Sequence, residues 1–223
     1  MTDILIADDH PLFRDALRRA VLTALPQARV HSADNVHALL GLIEQFPDAE
    51  LLLLDLHMPG ARGYSALAHI RGQYPGLPTI VVSGHEEARV ARRALAHGAS
   101  AYIPKSSSSE RIVAAIRAVL DGDVWLPPAL LGGAGELKPA EAEAAAQLAA
   151  LTPQQFRVMT MIAEGLLNKQ IAWELGVSEA TVKAHMTAIM RKLGVNNRTQ
   201  VALIASQLAV EPGTMQPLSD DDD

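Results

Sequence analysis

Five side chains with the means to do chemistry stand at or just past the ends of short apolar runs. They are the adjacent carboxylates Asp8 and Asp9, a third carboxylate at Asp55, the hydroxyl of Ser83 and the ammonium of Lys105. Three carboxylates gathered in one place repel one another unless a hard divalent cation that prefers oxygen ligands, such as Mg²⁺, joins them. Such a cation also offsets the charge of an incoming phosphoryl group. Lys105 would then neutralise a phosphoryl oxygen and Ser83 would hydrogen-bond to it. Taken singly, Asp8-Asp9 could cap a helix or sit in a solvated turn, Asp55 could be a capping residue, and Ser83 and Lys105 carry almost no information. The conjunction is informative: an acidic pair, a single Asp, a hydroxyl and a Lys, in that order, each at a strand end.

These residues need a scaffold that brings strand ends together, and residues 1–121 supply the pattern for one. Apolar runs of strand length at 4–7, 29–33, 50–54, 79–82 and 100–103 alternate with amphipathic runs of helix length near 11–25, 35–46, 64–74, 86–97 and 108–121. Five strand–helix units of this kind predict an α/β doubly wound, parallel five-stranded sheet with helices on both faces. The unbroken run of Leu51, Leu52, Leu53 and Leu54 reads as a strand buried on both sides. In such sheets ligands bind at the carboxyl ends of the strands, where the five side chains fall.

The motifs Ile4-Leu5-Ile6-Ala7-Asp8-Asp9-His10-Pro11, Leu54-Asp55-Leu56-His57-Met58-Pro59-Gly60, Val82-Ser83-Gly84 and Tyr102-Ile103-Pro104-Lys105 match, in order and spacing, those of response-regulator receiver domains, which residues 1 to about 121 resemble. The resemblance implies a flavodoxin-like fold with Asp55 as phosphoacceptor. It further implies that Asp9 ligates Mg²⁺ directly, that Asp8 assists through water, and that the backbone carbonyl of His57 adds a ligand. Ser83 and Lys105 would contact the phosphoryl group and Tyr102 would be the switch aromatic, its ring entering space vacated behind Ser83. His57 and His85 stand where the family borders the path of the hydrolytic water. They are expected either to be plain exposed loop residues or to tune the lifetime of the aspartyl phosphate with pH.

Beyond Trp125, Pro127-Pro128 and the Gly132–Gly135 stretch predict a flexible linker over 122–147 that ends in a short Ala/Glu-rich helix. Residues 148–210 read as a small all-α domain with helices at 153–165, 168–175, 179–193 and 197–208. Thr152, Pro153 and Gln155 form a capping box, Gly176-Val177-Ser178 a short turn, and Gly194 a stop. Val182, Met186, Ile189, Met190 and Leu193 share one face of the third helix and should be core. The other face carries Ala180, Ala184, Thr187, Ala188 and Arg191, with Lys183 on its shoulder. It is small-sided and basic, suited to a major groove. Residues 151–205 also resemble the LuxR-type helix-turn-helix, quoted by Asn168-Lys169-Gln170-Ile171-Ala172, Thr181-Val182-Lys183-Ala184-His185 and Lys192-Leu193-Gly194-Val195. Together the two halves place the chain in the resemblance of the NarL/FixJ response regulators, although Gln170 stands where that family often has Glu. The resemblance implies base contacts from Lys183, Ala184 and Thr187 and phosphate contacts from Lys169, Thr181 and Arg198. It also implies a homodimer on phosphorylation, through the last helix with Val201, Leu203, Ile204 and Leu208.

Charge division agrees with a DNA-binding second half. The whole chain carries −6, but residues 148–210 carry +3, against −2 for 1–125, −2 for 126–147 and −5 for 211–223. The last segment reads as a disordered acidic tail, solubilising or in competition with DNA. Absence of Cys excludes disulfides, thiolate zinc sites and Cys nucleophiles. No apolar run approaches membrane-spanning length, so a cytoplasmic protein without membrane partners is expected. The partners expected are a sensor histidine kinase, double-stranded DNA at a promoter and, there, RNA polymerase. Two other readings stand beside a phosphorylated transcription regulator. One is a small-molecule phosphatase with an aspartate nucleophile, which normally needs a second Asp where His57 stands. The other is a receiver acting only as an interaction module, with phosphorylation-independent DNA binding.

Overall fold

The computed structural model describes residues 2–61, 63–130 and 139–207. Its first half alternates β1 (Asp3–Ala7), α1 (Pro11–Ala24), β2 (Arg29–Ala33), α2 (Val36–Gln45), β3 (Leu51–Asp55), α3 (Ser65–Gln73), β4 (Thr79–Ser83), α4 (Ala88–Ala96), β5 (Ala101–Pro104) and α5 (Ser109–Leu120). All strand pairings are parallel, in the order β2-β1-β3-β4-β5. β3 sits at the centre, and Leu51, Leu52, Leu53 and Leu54 are wholly buried, alternating between the two faces. Burying each such side chain stabilises the fold by roughly 1.5–3 kcal/mol. One face packs on α1 and α5; the other packs on α2, α3 and α4.

Three strands reach one residue further than the apolar runs predict. Asp55 pairs with Val82, and Ser83 pairs with Pro104, inside the ladder. Polar side chains at these positions do not end the strands, because the backbone hydrogen bonds of a neighbouring strand are still available there. Asp55 and Ser83 are therefore carried on the sheet itself, whereas Asp8, Asp9 and Lys105 stand on the loops directly after β1 and β5.

A 3₁₀ turn at Pro128–Leu130 precedes α6 (Pro139–Ala149), α7 (Pro153–Ala163), α8 (Asn168–Glu174), α9 (Glu179–Leu193) and α10 (Arg198–Gln207). The Gly-rich part of the expected linker and the acidic tail lie outside the described residues, as does Leu208. Thr152 and Gln155 form the capping box of α7, and Ser178 accepts from the Thr181 N–H at 3.1 Å to start α9. Gly194 ends α9 in a left-handed conformation, φ 67°, which a residue without Cβ adopts freely. Val182, Met186, Ile189 and Leu193 are buried as their spacing demands.

The apolar layer on the α2–α3–α4 side does not stop at the receiver. It continues through Leu148 and Leu151 into Phe156, Met159 and the core of α7–α10. Close approach is possible because Gly72 lacks a Cβ: one placed there would lie 2.3 Å from the Ala149 Cβ.

Candidate functional site

At the carboxyl edge of the sheet, Asp8 and Asp55 are buried and Asp9 is half-buried. The Lys105 ammonium reaches across from the end of β5 and bridges the first two, 2.7 Å from Asp8 Oδ2 and 2.8 Å from Asp55 Oδ2. Burial raises the Asp55 carboxyl above its usual range, against the pull of Lys105 and of the His57 N–H that donates to Oδ1 at 3.1 Å. Burial also opposes the Lys105 charge, but its hydrogen bonds to Asp55 and Asp8 outweigh that and hold its pKa above the ordinary value. The pocket is thus a pair of buried carboxylates kept together by one ammonium.

The close neighbours of Asp8 Oδ2 and Asp9 Oδ1 are, respectively, the Lys105 ammonium and, at 2.7 Å, His10 Nδ1. Ligand atoms of Asp8, Asp9, His10 and Asp55 lie within 4.8 Å of one another. Acidic oxygens gathered this closely suit a divalent cation. His10 is a neighbour of the pocket that sequence reasoning did not single out.

Ser83 is fully buried, and its hydroxyl accepts from the His85 N–H at 3.3 Å. The Lys105 N–H donates to the Ser83 carbonyl at 2.7 Å, which fixes the two loops together. Tyr102, the expected switch aromatic, has its ring fully buried and its hydroxyl donating to the His85 carbonyl at 2.7 Å. That carbonyl supplies a buried acceptor that a phenol can satisfy. The rings of His57 and His85 lie 5.0 Å apart beside the pocket.

On α9, Ala180, Lys183, Ala184, Thr187 and Arg191 are all exposed, as is Lys169 on α8; Thr181 is half-buried, its hydroxyl 2.9 Å from that of Ser178. Arg198, expected to contact phosphate, is half-buried and engaged within the chain. Its guanidinium donates to Asn168 Oδ1 at 3.0 Å and to the Leu166 carbonyl, bracing the start of α8 against α10. Gln170 accepts from the Leu167 N–H at 2.7 Å, a helix-start role that its amide fills without a charge. Of the apolar residues expected on a dimer face, Val201 and Ile204 are buried within the chain and Leu203 remains 60% exposed.

Contacts between the halves use residues that no motif marked. His69 Nδ1 lies 3.2 Å from the Leu148 carbonyl, and its ring stacks on Phe156 at 4.0 Å. Gln73 donates to the Ala149 carbonyl at 2.6 Å, and Arg157 pairs with Glu44 at 3.4 Å. Glu141 on α6 is buried against Arg93 and His97.

A parallel sheet with this pocket, joined to a helix-turn-helix, defines the class of two-component response regulators. The response regulator receiver domain matches residues 4–117, and the luxR family of bacterial regulatory proteins matches residues 149–205. The chain therefore belongs to the NarL/FixJ family, transcriptional regulators that join these two domains. It is 39% identical over 213 residues to the glycerol metabolism activator of Pseudomonas putida, covering 93% of this chain and 96% of that protein. It is 33% identical over 207 residues to the nitrate/nitrite response regulator protein NarL of Escherichia coli K12, covering 92% and 94%. RcsB from Salmonella enterica serovar Typhimurium, solved on promoter P1flhDC with phosphomimetic BeF3⁻, superposes with a TM-score of 0.54 at 25% identity, covering 93% of this chain and 99% of that one. Among the described residues no helix is long and apolar enough to cross a membrane.

Proposed function

We propose that Asp55 accepts a phosphoryl group from the phosphohistidine of a sensor histidine kinase and that this controls dimerisation and promoter binding by the helix-turn-helix half. The observation that carries the reading is the Lys105 ammonium bridging Asp8 and Asp55. It holds the buried Asp55 side chain at the carboxyl edge of the sheet. In the transfer, an Asp55 oxygen forms its bond to phosphorus as the P–N bond of the phosphohistidine breaks, and the imidazole leaves. Mg²⁺, held by Asp8, Asp9, Asp55 and the His57 backbone carbonyl, would supply charge neutralisation for the phosphoryl oxygens. Lys105 moves its hydrogen bond from Asp55 to a phosphoryl oxygen, and the Ser83 hydroxyl donates to another. Drawing Ser83 and Lys105 inward pulls on the β4–α4 loop, where the Tyr102 hydroxyl is anchored at His85.

Lys183, Ala184 and Thr187 would meet bases, with Lys169, Thr181 and Arg191 near the backbone of double-stranded DNA. Methyl and hydroxyl groups give modest discrimination per half-site, so a homodimer on paired half-sites supplies the rest. RNA polymerase at the same promoter and a cytoplasmic location belong to this reading. The exposed basic face of α9 and the similarity to promoter-bound RcsB support it. In outline, 1–121 is the receiver, 122–147 the linker, 148–210 the DNA-binding domain and 211–223 an acidic tail.

Incubation with a small phosphodonor and Mg²⁺, followed by intact mass, tests the proposal. Wild type should gain one phosphoryl group and Asp55→Ala none; equal labelling of both proteins refutes it. Catalytic turnover of the donor without a stable adduct would instead favour the phosphatase reading.

A further inference from the structure

Among the described residues, three carboxylic acid side chains are buried: Asp8, Asp55 and Glu141. The first two form the acidic pocket. Glu141 lies on α6, in an Ala/Glu-rich stretch whose other described acid, Glu143, is exposed. Burying a carboxylate costs several kcal/mol unless it is paired and hydrogen-bonded, so α6 does not present Glu141 inward by indifference.

Its partners all belong to the receiver. Glu141 Oε1 accepts from Arg93 Nε at 2.9 Å and from Nη2 at 2.8 Å, and lies 2.7 Å from His97 Nε2. Arg93 is on α4 and His97 caps its end. Tyr64 completes the cluster: its ring stacks on His97 at 4.8 Å, lies 5.2 Å from the Arg93 guanidinium, and its hydroxyl donates to the Val90 carbonyl on α4 at 3.0 Å. One carboxylate of the interdomain helix is therefore gripped by a single receiver helix.

That helix begins at Ala88, directly after the loop that leaves β4 at Ser83 and carries the His85 carbonyl to which Tyr102 is bound. Repacking of the pocket is thus passed first into α4. At its other end α6 and the residue that follows it hand carbonyls to both halves, Leu148 and Ala149 to His69 and Gln73 of α3, and Ala150, just past the helix, to Lys192 of α9 at 2.9 Å. The base-reading face of α9 is itself exposed. What the receiver withholds is therefore the freedom of α6 to move, and with it the placement of the helical domain.

We propose that Glu141 is an interdomain latch: its grip by Arg93 and His97 holds α6, and the helical domain behind it, on α4 until a phosphoryl group at Asp55 repacks the β4–α4 loop. The release step rests on phosphorylation of Asp55; the grip itself does not. Because the coupling is reciprocal, a broken latch also favours the phosphorylated conformation of the receiver.

Hydrogen exchange of the full chain, followed over α6 with and without beryllium fluoride and Mg²⁺, tests this. Glu141→Gln, which keeps shape and removes charge, should exchange faster in α6 by on the order of tenfold with no phosphoryl mimic present. Wild type should reach that rate only with the mimic. Arg93→Ala should act like Glu141→Gln, and the double variant should add little to either, the mark of a shared interaction. Beryllium fluoride should bind Glu141→Gln more tightly than wild type. Unchanged α6 exchange in a Glu141→Gln protein whose β1 and β3 remain protected overturns the latch. Should β1 and β3 lose protection, the wild-type pair decides, and α6 exchange indifferent to the mimic overturns the proposal. If intact mass shows that Asp55 takes no phosphoryl group, the proposed function fails on its own account, while the comparison of Glu141→Gln with wild type still decides the grip.

Discussion

Lys105 Nζ and Asp55 Oδ2 lie 2.8 Å apart although the two residues are separated by fifty positions, Lys105 directly after β5 and Asp55 at the end of β3, strands that are not neighbours in the sheet. β4 lies between them, so the Lys105 side chain crosses over the end of that strand, above Ser83, to reach the carboxylate. The same ammonium holds Asp8 from the far side of β3. Charge balance in the pocket therefore hangs on one long, flexible side chain.

Lys105→Ala should leave two buried carboxylates facing one another without a cation. Breaking a buried pair in this way costs about 3–5 kcal/mol. The expected outcome is a less stable protein in chelator, read by urea unfolding, with a larger stabilisation on adding Mg²⁺ than wild type shows. Equal Mg²⁺ stabilisation of both proteins would count against the shared site.

His57 and His85, their rings 5.0 Å apart, flank the approach to Asp55. Replacing either with Ala should change the lifetime of the aspartyl phosphate by several-fold, measured as loss of the phosphoryl mass after the donor is removed. Identical lifetimes in His57→Ala, His85→Ala and wild type would leave both as bystanders.

His69 is fully buried between α3, Leu148 and Phe156, and burial, opposed by its hydrogen bond to the Leu148 carbonyl, lowers its pKa to about 4 from an ordinary 6.5. In the unfolded chain the imidazole takes up a proton below about 6.5, whereas in the folded chain it does so only near 4. Its contribution to stability is thus present above about 6.5 and lost as pH falls through that window, at most about 3 kcal/mol in all. His69→Leu should flatten the pH dependence of the unfolding free energy between pH 6.5 and 4; an unchanged slope would show that the ring titrates alike in both states.

Lys183 and Arg198 should separate DNA contact from internal bracing. Lys183→Ala removes an exposed group and should weaken promoter binding by about 1–3 kcal/mol with little change in melting temperature. Arg198→Ala strips donors from Asn168 and the Leu166 carbonyl and should cost about 1.5–3 kcal/mol of stability. A thermal melt beside a binding isotherm at fixed salt checks both. Unaltered stability in Arg198→Ala would return that residue to the DNA face.

The order of strands and helices, the pocket at the strand ends and the exposed, basic face of α9 could be read from the sequence alone. Each depends on local pattern: alternating apolar runs, polar residues at their ends, and a helical stripe that needs a core. Asp8, Asp9, Asp55, Ser83 and Lys105 are legible because a parallel sheet necessarily brings its carboxyl ends to one edge. Four residues were not legible in this way. Glu141 reads as a solvated acid in an Ala-rich helix, yet its partners lie 44 and 48 residues away. His69 meets its acceptor 79 residues on, Arg198 turns 30 residues back, and Tyr102 is held by a carbonyl 17 residues earlier. Side-chain type sets what such groups can bond, but which partner is in reach is decided by how the helices dock. That docking is governed by shape, as where the missing Cβ of Gly72 admits Ala149, and shape complementarity between distant segments leaves no periodic trace in the chain.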